Sequence, residues 1–138
     1  MNAHGAVLQA YYDKLNGNVS GFNVYKVDVP ETEEGNYIVV RPESGTGQNN
    51  KRSINDNLII ITDIVTVFEN NINSDVVDDA DAIVYDLIVP TASSNGLAAQ
   101  AGIDIWAERE SFDYLPDADG TKNYFRKISR YKNRVHNT

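Results

Sequence analysis

The chain of 138 residues contains no cysteine, and its two histidines, His4 and His136, lie close to its ends. The absence of cysteine excludes disulfides, thiolate metal sites and cysteine nucleophiles. A general base needs a fixed geometry, which residues near chain ends rarely have. The common nucleophile–base pairs are therefore missing. This favours a structural or interaction protein over an enzyme, and leaves open an enzyme that uses only Asp and Glu.

Long apolar runs are also absent. The longest, Leu58 to Phe68, is interrupted by Asp63 and two threonines and falls short of the roughly 18 residues that a membrane span needs. No secretory signal precedes the first amphipathic segment. We therefore expect one globular domain over residues 1–138, with no membrane partner.

Bases are scarce except in one segment. Twenty Asp and Glu against twelve Lys and Arg give a net charge of −8. Residues 1–120 contain all twenty acids and six bases, a net of −14, whereas residues 121–138 contain six bases and no acid, a net of +6. A protein that grips duplex DNA presents a basic surface, so sequence-specific DNA binding is disfavoured. The basic segment is either a solvated strand face or a strip that docks an acidic partner.

Two segments have the periodicity of amphipathic helices. Apolar residues recur at helical spacing from Ala3 to Leu15, and Asn16-Gly17 supplies a C-terminal stop. A second apolar stripe runs from Val76 to Ile88, after a capping Ser74 and before Pro90. We expect the five aspartates of this second helix to lie on a solvated or partner-facing surface.

Five segments have the composition and alternation of strands. In the first, Phe22 to Val29, the face with Tyr25, Val27 and Val29 is expected to be the more buried. The others are Tyr37 to Arg41, Leu58 to Phe68, Ile103 to Tyr114 and Asn123 to Val135. Leu115 to Gly120 is rich in turn residues and predicts an antiparallel hairpin. Trp106 is expected in the core or on a sheet face, with an interface role as the alternative.

The order of these elements, α-β-β-β-α-β-β, predicts an α+β fold. We expect a mostly antiparallel sheet with both helices packed on one face. Leu58 to Phe68 is apolar on both faces, which is typical of a strand in the middle of a sheet.

No motif predicts a metal, nucleotide or cofactor site. The acidic helix lacks the histidine or second carboxylate helix of a helical metal centre. Placing Gly120 at the sixth position of a calcium loop puts Leu115 and Arg126 where carboxylates are needed. Gly45-Thr46-Gly47 with Lys51 lacks the phosphate-loop spacing and precedes a strand. We expect no catalytic residue, no metal and no cofactor, and interpret Glu43 to Asn57 as a polar loop that orders against a neighbour.

Several stretches, taken in order, have the pattern of one protein family. They are the opening helix with Ala6 to Tyr11, the strands Asn23 to Tyr25, Asn36 to Val40 and Ile59 to Phe68, the helix Val76 to Ile88, and the closing hairpin with its Asp-rich turn and Arg/Tyr-rich last strand. In this order they resemble the tail terminator, or tail-completion, proteins of long-tailed phages. The resemblance spans nearly the whole chain and rests on pattern rather than on a signature motif.

The resemblance implies a non-enzymatic virion protein, assembled in the host cytoplasm as a homo-oligomeric ring, usually a hexamer. Such a ring caps the tail tube and presents the surface to which the head connector attaches. The implied partners are the major tail tube protein and the head–tail connector protein. DNA passes through without being read, which suits an acidic lumen because like charge repels phosphates. Another phage neck or head–tail connector ring, or a small soluble binding module, is the alternative.

The uneven charge suits a ring contact in which a basic strip on one subunit meets an acidic strip on the next. We expect the strip of Arg126, Arg130 and Arg134 to meet acids of a neighbour. The candidate interface residues are Arg126, Arg130, Arg134, Lys51, Arg52, Asp78 and Asp79. The candidates for an acidic lumen lining are Glu31, Glu33 and Glu34, with the acidic second helix as the alternative.

Overall fold

The computed structural model describes residues 3–30, 35–43, 55–68, 74–90, 97, 104–119 and 122–136. Its elements, in chain order, are α1 (Ala3–Leu15), β1 (Asn23–Lys26), β2 (Tyr37–Pro42), β3 (Asn55–Phe68), α2 (Asp75–Ile88), β4 (Asp104–Asp119) and β5 (Lys122–His136). The expected element order and the α+β class are confirmed. In this described part of the chain, no helix is both long enough and apolar enough to cross a membrane.

The strands of the described residues form one five-stranded sheet in the order β1-β2-β3-β5-β4. β1 and β2 pair in parallel, and every other pair is antiparallel. β5 pairs with β4 as the expected hairpin and with the full length of β3 on its other side. β3 lies in the middle of the sheet, as its apolar sequence predicts, and the short β1 and the long β4 form the edges.

Both helices pack on the same face of the sheet, which we call the inner face; the opposite face is the outer face. The core between helices and sheet is apolar because period-2 positions of the strands meet the apolar stripes of the helices. Its helical side chains are Val7, Ala10, Tyr11, Leu15, Val77, Ala80, Val84 and Ile88, and its main strand side chains are Ile38, Val40, Leu58, Ile60, Ile64 and Tyr131.

One polar bridge crosses this core. The Tyr11 hydroxyl donates to Asn133 Oδ1, and Asn133 Nδ2 donates to the carbonyl of Leu58 at 3.2 Å. Burial raises the pKa of Tyr11 well above its ordinary value, so the phenol stays protonated and keeps donating. The bridge ties α1 to the two central strands.

The buried face of β1 differs from the expectation. The buried residue is Val24, whereas Val27 is 52% exposed and has φ 68°. A β-branched residue rarely adopts such a positive φ, and it turns the chain out of the strand directly after Lys26. Val24 belongs to the face opposite Tyr25, so the expected buried face is wrong, and the strand ends before Val27.

Two strand boundaries and one helix cap also differ. β3 begins at Asn55 instead of Leu58, and β4 continues to Asp119 through residues expected to form a turn. Both extensions are paired with β5, and this ladder outweighs the local turn propensity. Ser74 is the N-cap of α2, but its side chain makes no capping hydrogen bond.

Candidate functional site

A cluster of charged side chains lies beneath α2, on the inner face of β4 and β5. At its centre Asp81 is only 3% exposed. Its carboxylate accepts hydrogen bonds from Arg109 Nη2 at 2.6 Å and from Ser129 Oγ at 3.3 Å, and forms an ion pair with Lys127 Nζ at 2.9 Å. The expectation of a solvated or partner-facing Asp81 is wrong, because positions 77, 81, 84 and 88 form one helical stripe that faces the sheet.

Asp78 lies at the mouth of this cluster. It accepts hydrogen bonds from the Tyr114 hydroxyl at 2.7 Å and from Lys127 Nζ at 3.2 Å. The Tyr114 hydrogen bond, followed by the contact with Lys127, lowers the pKa of Asp78 below its ordinary value. A carboxylic acid that donates protons near neutral pH needs the opposite shift. Asp78 therefore stays ionised at neutral pH, which does not suit acid catalysis.

Lys127 joins the two aspartates and is 6% exposed. Burial acts to lower its pKa, but hydrogen bonding and charge attraction from Asp81 outweigh burial, and the pKa is raised. Lys127 therefore stays a cation at neutral pH and cannot serve as a general base. This cluster holds α2 on the sheet by ion pairs.

An open groove with a volume of about 410 Å³ separates α2 from the C-terminal half of β4. Its lining includes Asp78, Tyr85, Asp86, Arg109, Tyr114 and Lys127, and we call it the α2–β4 groove. α2 packs over β3 and β5, so this part of the edge strand is only partly covered. Phe112 and Tyr114 are consequently 46% and 42% exposed although they lie on the inner face.

Exposed apolar side chains concentrate around this groove and along β4. Among the described residues, eight large hydrophobic side chains are exposed, and seven of them belong to α2 or β4. The seven are Val76, Ile83, Tyr85, Trp106, Phe112, Tyr114 and Leu115. Single exposed apolar residues are ordinary. Phe112 and Tyr114 lie on the inner face beside α2, whereas Trp106 and Leu115 lie on the outer face, so β4 exposes apolar side chains on both faces of the sheet.

The strip of Arg126, Arg130 and Arg134 lies on the outer face of β5, as its even spacing requires. Arg126 forms an ion pair with the buried Asp63 of β3, which is 2% exposed. Asp63 also accepts from Arg41 Nη1 at 3.3 Å. This triad covers the middle of the outer face.

The second arginine of the strip is also engaged within the chain. Arg130 Nε donates to Glu43 Oε1 at 2.9 Å, and Arg130 Nη1 lies 3.8 Å from Asp113. Glu43 belongs to the segment expected to order against a neighbour, of which residues 44–54 lie outside the described residues. The charges of Arg126 and Arg130 thus already have acidic partners in the same chain.

The third arginine has different surroundings. Arg134 is exposed and lies opposite Trp106 of β4, which is 58% exposed. The neighbouring pair on the same face is Glu108 and Lys132. Among the described side chains, the ion pairs include neither Lys132 nor Arg134. We call Trp106, Glu108, Lys132 and Arg134 the Trp106 patch.

The remaining predicted site residues are either on α2 or outside the described residues. Asp78 lines the groove, whereas its neighbour Asp79 is exposed on α2. Lys51, Arg52, Glu31, Glu33 and Glu34 lie outside the described residues, and their roles stay predictions. Within the described ranges, no group of three or more His, Asp or Glu side chains could hold a metal ion.

Comparison with known proteins adds a fold likeness. Neither a known family model nor a curated protein matches the sequence. The fold is similar to that of a chain in a solved structure described as "Virion of native gene transfer agent (GTA) particle", with a TM-score of 0.62 and 18% sequence identity. The similarity covers 98% of this chain and 98% of that chain. At this identity the likeness establishes a shared fold, and it extends over the whole domain.

Proposed function

We propose that this chain is a non-enzymatic virion structural protein, a ring-forming tail terminator that caps the tail tube and joins it to the head connector. The observation that carries the proposal is the full-length fold similarity to a chain of a gene transfer agent virion. The resemblance of the sequence pattern to tail terminators supports the same role independently of that comparison.

The chemistry of the described side chains supports a structural role. Asp81, Lys127 and Arg109 are held in ion pairs that fix α2 to the sheet, and Asp63 is held between two arginines. Exposed apolar side chains on α2 and β4 provide the kind of surface that subunits of an assembly bury. The proposed assembly is a homo-oligomeric ring, with a hexamer as the expected state.

The acidic character of the chain supports passage of DNA without recognition. α2 has five aspartates and no basic residue, and Asp75 and Asp79 are exposed. These side chains, together with Glu31, Glu33 and Glu34, are candidates for a lumen that repels phosphates. The proposed partners are the major tail tube protein, the head–tail connector protein and further copies of this chain, in the virion.

Tube capping tests the proposal. Purified chain is added to the polymerising tail tube protein of the same particle, and tube lengths and tube ends are imaged by electron microscopy. We expect shorter tubes with ring-shaped density at one end, at an amount of chain far below that of tube protein. Heat-denatured chain is the control. Unchanged tube lengths and bare ends at saturating chain would contradict the proposal, and binding to the head connector alone would favour the neck or connector ring.

A further inference from the structure

We infer that copies of this chain meet head to tail, with the Trp106 patch of one copy packed into the α2–β4 groove of the next. The inference rests on the proposed ring and deepens it, because it assigns the two surfaces that form the subunit contact. Of the three arginines expected at the subunit contact, the inference keeps only Arg134. Arg126 and Arg130 already have acidic partners within the chain.

The Trp106 patch has the composition of an interface centre. Trp106 is the most exposed of the large hydrophobic side chains in the described residues, at 58%. Its cross-strand neighbour Arg134 and the nearby Lys132 place two cations on this face, and Glu108 is the one acid of the patch. Trp and Arg are the residue types that most often dominate binding energy when both become buried in a contact.

The α2–β4 groove has the complementary composition. Tyr85 and Tyr114 supply exposed aromatic walls, at 38% and 42% exposure. The groove's two cations, Arg109 and Lys127, already form ion pairs with Asp81, so the exposed Asp86 leaves the rim acidic. The tyrosine rings already face cations of the same chain, Arg109 over Tyr85 at 4.9 Å and Lys127 over Tyr114 at 5.2 Å. The groove therefore fits an aromatic side chain that packs against these rings, with flanking cations placed near Asp86.

The location of the two surfaces on opposite faces of the sheet suits a contact that repeats from copy to copy. The Trp106 patch is on the outer face of the sheet, and the groove is on the inner face of the same sheet. Packing the patch of one copy into the groove of the next leaves the groove of the first copy free for a further neighbour. Contacts between unlike surfaces repeat from copy to copy, and they generate closed rings or open filaments.

The exposed edge of β4 is poorly suited to the alternative of strand pairing between copies. A β-bulge interrupts the register between Arg109 and Ser111, and Pro116 lies further along the same strand. Bulges, prolines and charged residues on edge strands disfavour the addition of another strand. The contact is therefore assigned to side-chain surfaces on the two faces of the sheet.

Chemical cross-linking of the full chain tests the inference directly, because the chain has no cysteine of its own. Glu108→Cys places a thiol in the Trp106 patch and removes its acid, and Ala82→Cys places one at an exposed position of the groove. The two variants are mixed in equal amounts and treated with a short bismaleimide. Intact mass spectrometry then separates the two homodimers from the heterodimer.

Random collision gives a heterodimer fraction of one half. We expect about nine tenths, which corresponds to a tenfold preference for the mixed pair. Adding Trp106→Ser to the Glu108→Cys variant should return the fraction to one half, and 1 M NaCl should lower it. Ser20→Cys, at an exposed position between α1 and β1, is the matched control and should give one half with either variant. A fraction of one half for the Glu108→Cys and Ala82→Cys mixture overturns the inference.

The outcome is independent of the tube-capping experiment. Wild-type chain that caps tubes while the cross-links stay random keeps the proposed function and removes this contact. Selective cross-links with no capping keep the contact and remove the terminator role. Enriched homodimers of either cysteine variant would indicate contacts between like surfaces, which also overturns the head-to-tail assignment.

Discussion

Replacing Asp81 by Asn should destabilise the fold far more than the same change two residues earlier. Asp81 is 3% exposed and is paired with Lys127 and Arg109, whose side chains are 8% and 20% exposed. Asparagine has nearly the same shape as aspartate, but its neutral amide replaces the carboxylate that Arg109, Lys127 and Ser129 contact. The two cations then stay beneath α2, with Asp78 as the acid that still contacts Lys127.

The size of the effect follows from this geometry. Removing one partner of a buried ion pair costs about 3–5 kcal/mol. The remaining contact with Asp78 and the partial exposure of Arg109 reduce that loss, and we expect about 2–3 kcal/mol of unfolding free energy for Asp81→Asn. With an unfolding entropy of about 2.1 cal/mol/K per residue, this lowers the Tm by about 7–10 °C.

Urea unfolding and thermal unfolding measure the change, and Asp79→Asn is the matched control. Asp79 is exposed on the same helix, so its substitution should alter stability by less than about 0.5 kcal/mol. A double-mutant cycle with Lys127→Met should give a coupling energy above about 1 kcal/mol, because the two side chains are in contact. Equal stabilities of Asp81→Asn and Asp79→Asn would refute the reasoning.

Three further predictions concern other buried polar groups. Tyr11→Phe leaves the buried Asn133 Oδ1 without its donor and should cost about 1–2 kcal/mol in urea unfolding; a neutral result would contradict the bridge across the core. Asp63→Asn should cost less than Asp81→Asn, about 1–2 kcal/mol, because the two arginines around it are 33% and 28% exposed and water can solvate them; a larger loss than for Asp81→Asn would contradict this. Burial raises the pKa of Tyr131 from 10 to about 12, so the folded state holds this proton more tightly than the unfolded chain. The contribution of Tyr131 to the free energy of unfolding should therefore be complete below pH 10 and be lost between pH 10 and 12, by up to about 2.7 kcal/mol. Unfolding at pH 9 and pH 11 should show a smaller fall for Tyr131→Phe than for the wild-type chain, and an equal fall would contradict this.

The elements of the fold could be predicted from the sequence because their periodicities are long and their ends are marked. The apolar stripe of α2 runs over the whole helix, and β3 carries β-branched residues at most positions. The hairpin of β4 and β5 follows from neighbouring strands with turn residues between them. These patterns are local, and a local preference predicts the native structure when the tertiary contacts favour the same conformation.

The arrangement of the strands could not be predicted in the same way. No local sequence pattern predicts that β5 lies between β3 and β4, or that β1 pairs with β2 in parallel. Those pairings join segments far apart in sequence and are decided by the packing of the whole domain. The end of β1 could not be predicted either, since no sequence pattern signals the positive φ of Val27.

The sequence alone does not predict the charged cluster, because a charged residue within an apolar helical stripe is ordinarily expected on the surface. Asp81 stands at helical spacing between Val77 and Val84, which is the signal that could have revealed it. Its partners Arg109 and Lys127 come from two different strands, so their convergence needs the sheet order. The exposure of Trp106 likewise depends on its place on the helix-free face of an edge strand.

The place of β5 in the sheet also affects how the chain is made. β5 follows every other element in sequence, yet it fills the position between β3 and β4. Until residues 122–136 leave the ribosome, β3 and β4 cannot be joined, and both have open edges that favour chaperone binding or aggregation. Folding is therefore completed after synthesis of this segment, and nascent chains that stop before it lack the domain that an assembly could incorporate.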